Sequence, residues 1–199
     1  MSKFTTLLFL LFIVHVGLKA QINADFIASG NTGCSPLKVE FTDQSQNAVK
    51  WYWDLGNGNI STKQNPAAIY NTPGKYSVTL IATDASGKND TFKRSDFVIA
   101  YKIPFAKLSV SKTEICAKEQ VSFLDVSTPG DGVINSWTWD FGDGSTASVE
   151  KPTATYLTPG VYDVTLSIKD NYGCKSEAKS IQLITVNELP EAEISSNLK

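Results

Sequence analysis

The sequence repeats one stretch, Trp51-Tyr-Trp-Asp-Leu-Gly-Asn-Gly58, as Trp137-Thr-Trp-Asp-Phe-Gly-Asp-Gly144. The two stretches lie 86 residues apart, and the same offset relates Tyr70 to Tyr156 and Tyr76 to Tyr162. Upstream the offset is 82, so four extra residues fall in the second copy, in a loop spanning residues 126–136. Because surface loops tolerate insertions, the pattern predicts two copies of one domain.

Each copy has the pattern of a β structure. In the stretch 162–168, Tyr, Val, Leu and Ile alternate with Asp, Thr and Ser, which is typical of a strand buried on one face. Asn57-Gly58 and Asp143-Gly144 supply the residues that tight turns need. Beyond residue 20, the sequence has no apolar stripe of helical period and helix length. Several short strands in about 80 residues predict a two-sheet sandwich, so we expect an all-β chain with two sandwiches in tandem.

The first 20 residues have the pattern of a secretory signal peptide. Lys3 gives a positive start, residues 7–14 (LLFLLFIV) form an apolar run, and Ala20 is a small residue suited to cleavage. The apolar region 4–18 is shorter than the roughly 20 residues that a membrane-spanning helix needs. The sequence therefore predicts cleavage rather than anchoring, and a secreted or surface-displayed product with no membrane span.

Composition excludes several functional classes. The chain has 199 residues and one histidine, His15, which lies inside the predicted signal peptide. A mature chain without histidine has no histidine metal site, histidine base or Ser-His-Asp triad. Removal of residues 1–20 leaves 16 basic and 20 acidic residues, with Arg94 the one arginine. This mildly acidic balance argues against nucleic acid binding, and we predict no enzymatic activity.

The second copy resembles the PKD (polycystic kidney disease) domain. The resemblance rests on residues 137–144, on Lys151-Pro152 and on the run from Thr158 to Leu166. The first copy departs from it, with Leu55 in place of Phe and Asn57 in place of Asp. The resemblance implies an Ig-like β-sandwich of the kind found in extracellular tandem arrays, and a role as a spacer or interaction module.

These patterns give the expected domain organisation. A signal peptide spans 1–20, one PKD-like sandwich spans 22–101 and a second spans 102–187. Residues 188–199 are either the start of a third repeat or a frayed tail, because Pro190-Glu-Ala-Glu-Ile-Ser195 resembles Pro104-Phe-Ala-Lys-Leu-Ser109. The junction has no flexible Gly/Ser run, which predicts restricted packing of the two domains.

Aromatic and acidic residues are the candidates for binding. Trp137 and Trp139 lie on one strand face and are expected in the core, so Tyr52, which points the other way, is the candidate for a surface contact. Asp140 and Asp143 could offer oxygen ligands to Ca²⁺, but the sequence favours a role for both in a tight turn. We therefore predict no cofactor, with Ca²⁺ as the exception to test.

The three cysteines leave two disulfide pairings open. Cys116 and Cys174 lie in one domain, and the first copy has Lys88 at the position of Cys174, so Cys116–Cys174 is the natural first pairing. An Ig-like strand order, however, places these two residues at opposite ends of the sandwich, too far apart for a bond. A Cys34–Cys174 bond across the domain junction is the alternative.

The sequence favours a non-catalytic extracellular module, acting in spacing, adhesion or protein–protein contact as the N-terminal part of a longer surface repeat protein. One alternative is a carbohydrate-binding accessory module of a secreted hydrolase, and another is a Ca²⁺-stabilised structural module. The expected partner is a protein or a polysaccharide at the cell surface.

Overall fold

The computed structural model describes residues 21–190, and the predicted signal peptide and residues 191–199 lie outside the described part. Two β-sandwiches follow one another along the chain. The strands of the first are β1 (Phe26–Ser29), β2 (Thr32–Cys34), β3 (Leu37–Asp43), β4 (Lys50–Asp54), β5 (Ile60–Ser61), β6 (Ala67–Tyr70), β7 (Gly74–Thr83) and β8 (Asn89–Tyr101). The strands of the second are β9 (Leu108–Val110), β10 (Glu114–Cys116), β11 (Gln120–Asp125), β12 (Ile134–Asp140), β13 (Thr146–Ala147), β14 (Thr153–Thr155), β15 (Gly160–Asp170) and β16 (Lys175–Asn187).

Both sandwiches have the same topology. A three-stranded sheet, β1-β3-β6 in the first domain and β14-β11-β9 in the second, faces a five-stranded sheet, β2-β8-β7-β4-β5 or β10-β16-β15-β12-β13. The strand pairs are antiparallel except at one edge, where β2 runs parallel to β8 and β10 runs parallel to β16. The prediction of an all-β chain with two tandem Ig-like sandwiches is confirmed.

Each domain has its own hydrophobic core. Alternating residues of β3 and β7, such as Val39 and Leu80, pack around Trp53 in the first domain. The second core is built in the same way around Trp139 and Leu166. Burying large aromatic side chains compensates for the small volume that a domain of about 80 residues can enclose.

The long β7–β8 and β15–β16 hairpins bend at matching bulges. The registers shift between Tyr76 and Val78 and between Tyr162 and Val164. Opposite the second shift, Gln182 has a positive φ of 52° and donates its N–H to Asp163 Oδ1 at 2.9 Å. This backbone hydrogen bond, followed by the Lys179 ammonium, lowers the pKa of the exposed Asp163 carboxyl. A bulge locally bends and twists a strand, so the two hairpins change direction at equivalent points within their five-stranded sheets.

Within residues 21–190, no helix has the length and apolar character needed to cross a membrane.

Candidate functional site

The tryptophans of the repeated motif serve the interior. Trp53 and Trp139 are fully buried, and their indole N–H groups donate to the carbonyls of Lys63 and Val149, each at 2.9 Å. Two residues earlier, Trp51 and Trp137 are half-buried against the same cores. Their indoles donate at 2.7 Å to the carboxylates of Asp43 and Asp125. These four rings are therefore structural, not an exposed platform.

Tyr52 lies on the outer face of the five-stranded sheet of the first domain. Its side chain is 43% exposed, and its neighbour across the strand pair is Ile81. At the matching position the second domain has the exposed Thr138, beside Ser167. The predicted contact residue is thus accessible, but only one of the two domains carries an aromatic ring there.

The acidic residues of the motif hold tight turns. Asp140 Oδ1 accepts the N–H of Gly142 at 2.9 Å, and Asp143 Oδ1 accepts the N–H of Ser145 at 2.8 Å and its hydroxyl at 2.5 Å. In the first domain Asp54 accepts the N–H of Gly56 in the same way. Residues 21–190 contain no cluster of three metal-ligating acidic, cysteine or histidine side chains. Stabilisation by Ca²⁺ stays a prediction, which a melting curve with and without millimolar Ca²⁺ would test.

Two pairs of tyrosines tie loops to the sandwiches. The buried Tyr70 and Tyr156 donate their hydroxyls to the carbonyls of Leu55 and Phe141, and burial raises the pKa of both phenols above the usual value near 10. Tyr162 donates to the carbonyl four residues upstream at 2.8 Å, and Tyr76 does the same at 2.6 Å. The presence of these four tyrosines in the two copies is therefore explained by the hydrogen bonds that they make within each sandwich.

The domain junction combines contacts of several kinds. Cys34, at the end of β2, is bonded to Cys174, in the turn before β16, with 5.5 Å between the Cα atoms. The first of the two open pairings, Cys116–Cys174, is wrong. Its cysteines flank β16, a strand of 13 residues and hence about 40 Å long, with Cys116 paired beside Asn187 at the far end. Disulfide geometry needs Cα atoms within about 7 Å.

An aromatic stack lies beside the disulfide. Tyr101, the last residue of β8, faces Tyr172 with 4.0 Å between ring centroids and 2° between ring planes. Tyr172 belongs to the same turn as Cys174, and Asp170 fixes that turn. Asp170 Oδ1 accepts the N–H groups of Tyr172 at 2.9 Å and of Cys174 at 2.8 Å. One turn of the second domain therefore presents both groups to the end of the first.

The four-residue insertion of the second domain lies against the linker. Asp131 accepts the N–H of Lys102 at 2.7 Å and returns its own N–H to the Lys102 carbonyl at 3.1 Å. A Cβ at Gly130 would lie 2.0 Å from that carbonyl oxygen, so the close approach requires glycine. On its other side the loop pairs with the turn, where the Val133 N–H donates to the side-chain Oδ1 of Asn171 at 2.7 Å and the Asn171 N–H donates to the Val133 carbonyl at 3.0 Å.

Sequence reasoning anticipated a restricted junction but not the residues that form it. The sequence pattern marks the loop 126–136 as a tolerated insertion and assigns no role to Tyr101 or Tyr172. One signal is present in the sequence: the second copy has an insertion and a cysteine, Cys174, that the first copy lacks.

Comparison with known proteins identifies the family. The family model of the PKD domain matches this chain twice, over residues 20–99 and over residues 101–186. The chain belongs to the PKD domain family. Both PKD domains contain the Trp-x-Trp-Asp motif and the buried tyrosine described above.

The relatives in which similar PKD domains occur include much longer proteins. The chain is 33% identical over 132 residues to the pre-pro-metalloprotease PrtV of Vibrio cholerae, covering 66% of this chain and 14% of that protein. It is 44% identical over 68 residues to a microbial collagenase of Vibrio alginolyticus, covering 34% of this chain and 8% of the collagenase. The crystal structure of the PKD1 domain of Vibrio cholerae PrtV aligns with 42% of this chain and 99% of that domain, with 31% identity and a TM-score of 0.37. The chain thus spans a small part of the length of these curated relatives.

Proposed function

We propose that this chain is a non-catalytic extracellular module that holds adjoining protein parts at a fixed relative orientation and mediates contact with a protein at the cell surface. The observation that carries the proposal is the junction, where a disulfide, a stacked tyrosine pair and a linker held by the inserted loop all join the same two domains.

The junction contacts favour a rigid spacer over a flexible tether. A tether needs no cross-link, and a glycine- or serine-rich linker would serve it better. Here the linker after Tyr101 is fixed within one residue, because both backbone groups of Lys102 bond to Asp131. The disulfide adds a second covalent connection between the domains, so rotation about the linker is blocked.

The use of the acidic side chains supports a non-catalytic role. A glycosidase needs two carboxyl groups facing each other across a cleft. In the second domain Asp140 and Asp143 accept turn N–H groups instead, and Asp125 accepts an indole N–H. In the first domain Asp43 and Asp54 accept the equivalent N–H groups, and Asn57, which stands in place of Asp143, accepts the N–H of Asn59.

The disulfide and the relatives support an extracellular location. Disulfides persist in oxidising compartments and are rare in the cytosol. Similar PKD domains occur in a pre-pro-metalloprotease and in a collagenase. The apolar start of the sequence has the pattern of an export signal.

The test measures the distance between the domains. Labels introduced as unnatural amino acids at Thr62 and Ser148, exposed and at equivalent positions, report the distance distribution without adding cysteines. We expect one narrow distribution for the oxidised chain and a broader one for Cys34→Ser, with Cys116→Ser as the matched control that leaves it narrow. A broad distribution in the oxidised chain, or turnover of protein or polysaccharide substrates by the purified chain, would overturn the proposal.

Tyr52 supports a second candidate function, binding of polysaccharide. Its ring is exposed on the outer sheet face, where it could stack on a sugar. A pull-down on insoluble polysaccharides should then lose its signal with Tyr52→Ala and keep it with Thr138→Ala, the equivalent position of the second domain. Equal retention of both variants would assign any binding to another surface.

A further inference from the structure

Cys116 occupies the place in the second domain that Cys34 occupies in the first. Each ends a short edge strand that runs parallel to the last strand of its domain, with Cys34 opposite Tyr101 and Cys116 opposite Asn187. In both domains the residue after the cysteine donates its N–H to that opposite carbonyl at 2.9 Å. The pairing of the two edge strands is therefore the same up to the residue after each cysteine, and beyond it the chains differ, with a cis Ser35-Pro36 bond in the first domain and a positive φ of 69° at Lys118 in the second.

In the first domain the end of this edge strand contacts the second domain. Cys34 is bonded to Cys174, which lies in the turn between β15 and β16 of the second domain. The end of the β2–β8 edge is thus the surface on which the following domain docks through its hairpin turn. In the second domain the equivalent Cys116 is half-exposed and unbonded among residues 21–190.

The hairpin turn that docks is also present in both domains. Lys88 donates its N–H to Asp84 Oδ1 at 3.0 Å, as Cys174 donates to Asp170 Oδ1 at 2.8 Å. Gly87 and Gly173, just before, have φ angles of 84° and 86°. The two turns share their backbone conformation and differ in the side chain of Lys88 or Cys174. A cysteine at this position therefore enables a domain to form a disulfide with the domain that precedes it.

We propose that Cys116 is a docking cysteine for a further PKD domain, which carries a cysteine at the position of Cys174 and packs on the second domain as the second packs on the first. The inference goes beyond the spacer role because it names the partner, the bonding residue and the direction of assembly. The second domain then bonds backwards through Cys174 and forwards through Cys116.

Formation of the bond is an ordinary oxidation of two thiols. The two thiols lose two protons and two electrons, and a low-molecular-weight disulfide accepts them and becomes two thiols. The second site also differs from the first in a side chain, because Asn187 replaces the stacking Tyr101 and instead donates to the Glu114 carboxylate at 3.0 Å. The docked domain would therefore meet a polar group where the first junction has a ring.

A fused third domain tests the proposal. Residues 1–195 are followed by a second copy of residues 110–187, in the register set by the match of 190–195 to 104–109. In the copy, Cys116→Ser removes the extra thiol and Lys175→Arg marks the peptide by mass. After oxidation with oxidised glutathione, we expect non-reducing peptide mapping to show Cys34–Cys174 together with Cys116 bonded to the marked peptide, and no free thiol.

The control is the same fusion with Cys174→Lys in the copy, which reproduces the residue at Lys88 and should leave Cys116 as one alkylatable thiol. A second fusion, residues 1–191 followed by residues 24–101 with Cys34→Ser and Lys88→Cys, repeats the test with the other domain. Bonding of Cys116 in either fusion supports the proposal. The proposal is overturned if Cys116 stays free or forms Cys116–Cys116 dimers in both fusions, or if both appended domains fail to fold, because a docking surface for this domain type should accept at least one.

Discussion

Loss of the Cys34–Cys174 bond should destabilise both domains, although Cys34 belongs to only one of them. If the first domain unfolds while the second stays folded, the bond closes a loop from Cys34 to the linker at Tyr101, which is 67 residues. If the second unfolds alone, the closed loop runs from Tyr101 to Cys174, which is 73 residues. Chain-entropy arguments give about 4 kcal/mol for a loop of either length.

The near equality of the two loops makes the prediction specific. Cys34→Ser and Cys174→Ser should lower the free energy of unfolding of each domain by up to about 4 kcal/mol, because either change opens both loops. For domains of this size that corresponds to a fall in Tm of as much as about 15–30 °C. The double variant should match the single variants, since one bond is lost in every case.

Hydrogen exchange followed by mass spectrometry gives the unfolding free energy of each domain separately, from peptides of β7 and of β15. Cys116→Ser is the matched control and should change neither value. The reasoning is refuted if Cys34→Ser weakens the first domain alone, because the loop argument requires an effect in the second domain as well.

Three further substitutions have effects on stability that the structure predicts. Gly142→Ala should lower the free energy of unfolding by several kcal/mol, because its Cβ would lie 2.3 Å from a backbone oxygen. Gly144→Ala, at a similar φ of 88° but with open space around it, should lower it by about 1–2 kcal/mol. Equal losses of unfolding free energy in urea titrations would contradict this. Asp125→Ala should cost about 1.5–3 kcal/mol by leaving the Trp137 indole without its acceptor, and Asp125→Asn, which keeps an acceptor oxygen, should cost less. Burial raises the pKa of Tyr156, so its contribution to stability is fully present below about pH 10 and is lost as pH rises above that value. Tyr156→Phe should therefore flatten the alkaline part of the pH–Tm curve, and an unchanged curve would contradict the assignment.

The fold was predictable because its signals are local and occur twice. Alternation in β15 assigns Val164 and Leu166 to one face, and the glycine turns mark where strands end. The core role of Trp139 follows from its spacing to Phe141 on the same face. None of these inferences needs contacts between residues far apart in sequence.

The junction was harder to predict because its contacts depend on how two domains meet. Tyr101 and Tyr172 are ordinary surface tyrosines until the end of β8 and the β15–β16 turn come together. The sequence leaves two pairings open, Cys116–Cys174 within the second copy and Cys34–Cys174 across the junction, and the length of β16 excludes the first of them. Strand and turn patterns do not show which residues two domains bring together.

The differences between the two copies are most informative where the copies meet. The second copy has an inserted loop with Gly130 and a turn with Cys174, and both contact the first domain or its linker. The first copy has neither feature, with Lys88 in the equivalent turn. Features shared by both copies, such as the indole–carboxylate bonds, build the domain itself, whereas features of one copy build its junction. Cys116 is an exception to this division, because both copies have a cysteine at its position, yet Cys34 bonds the neighbouring domain and Cys116 makes no bond within its own.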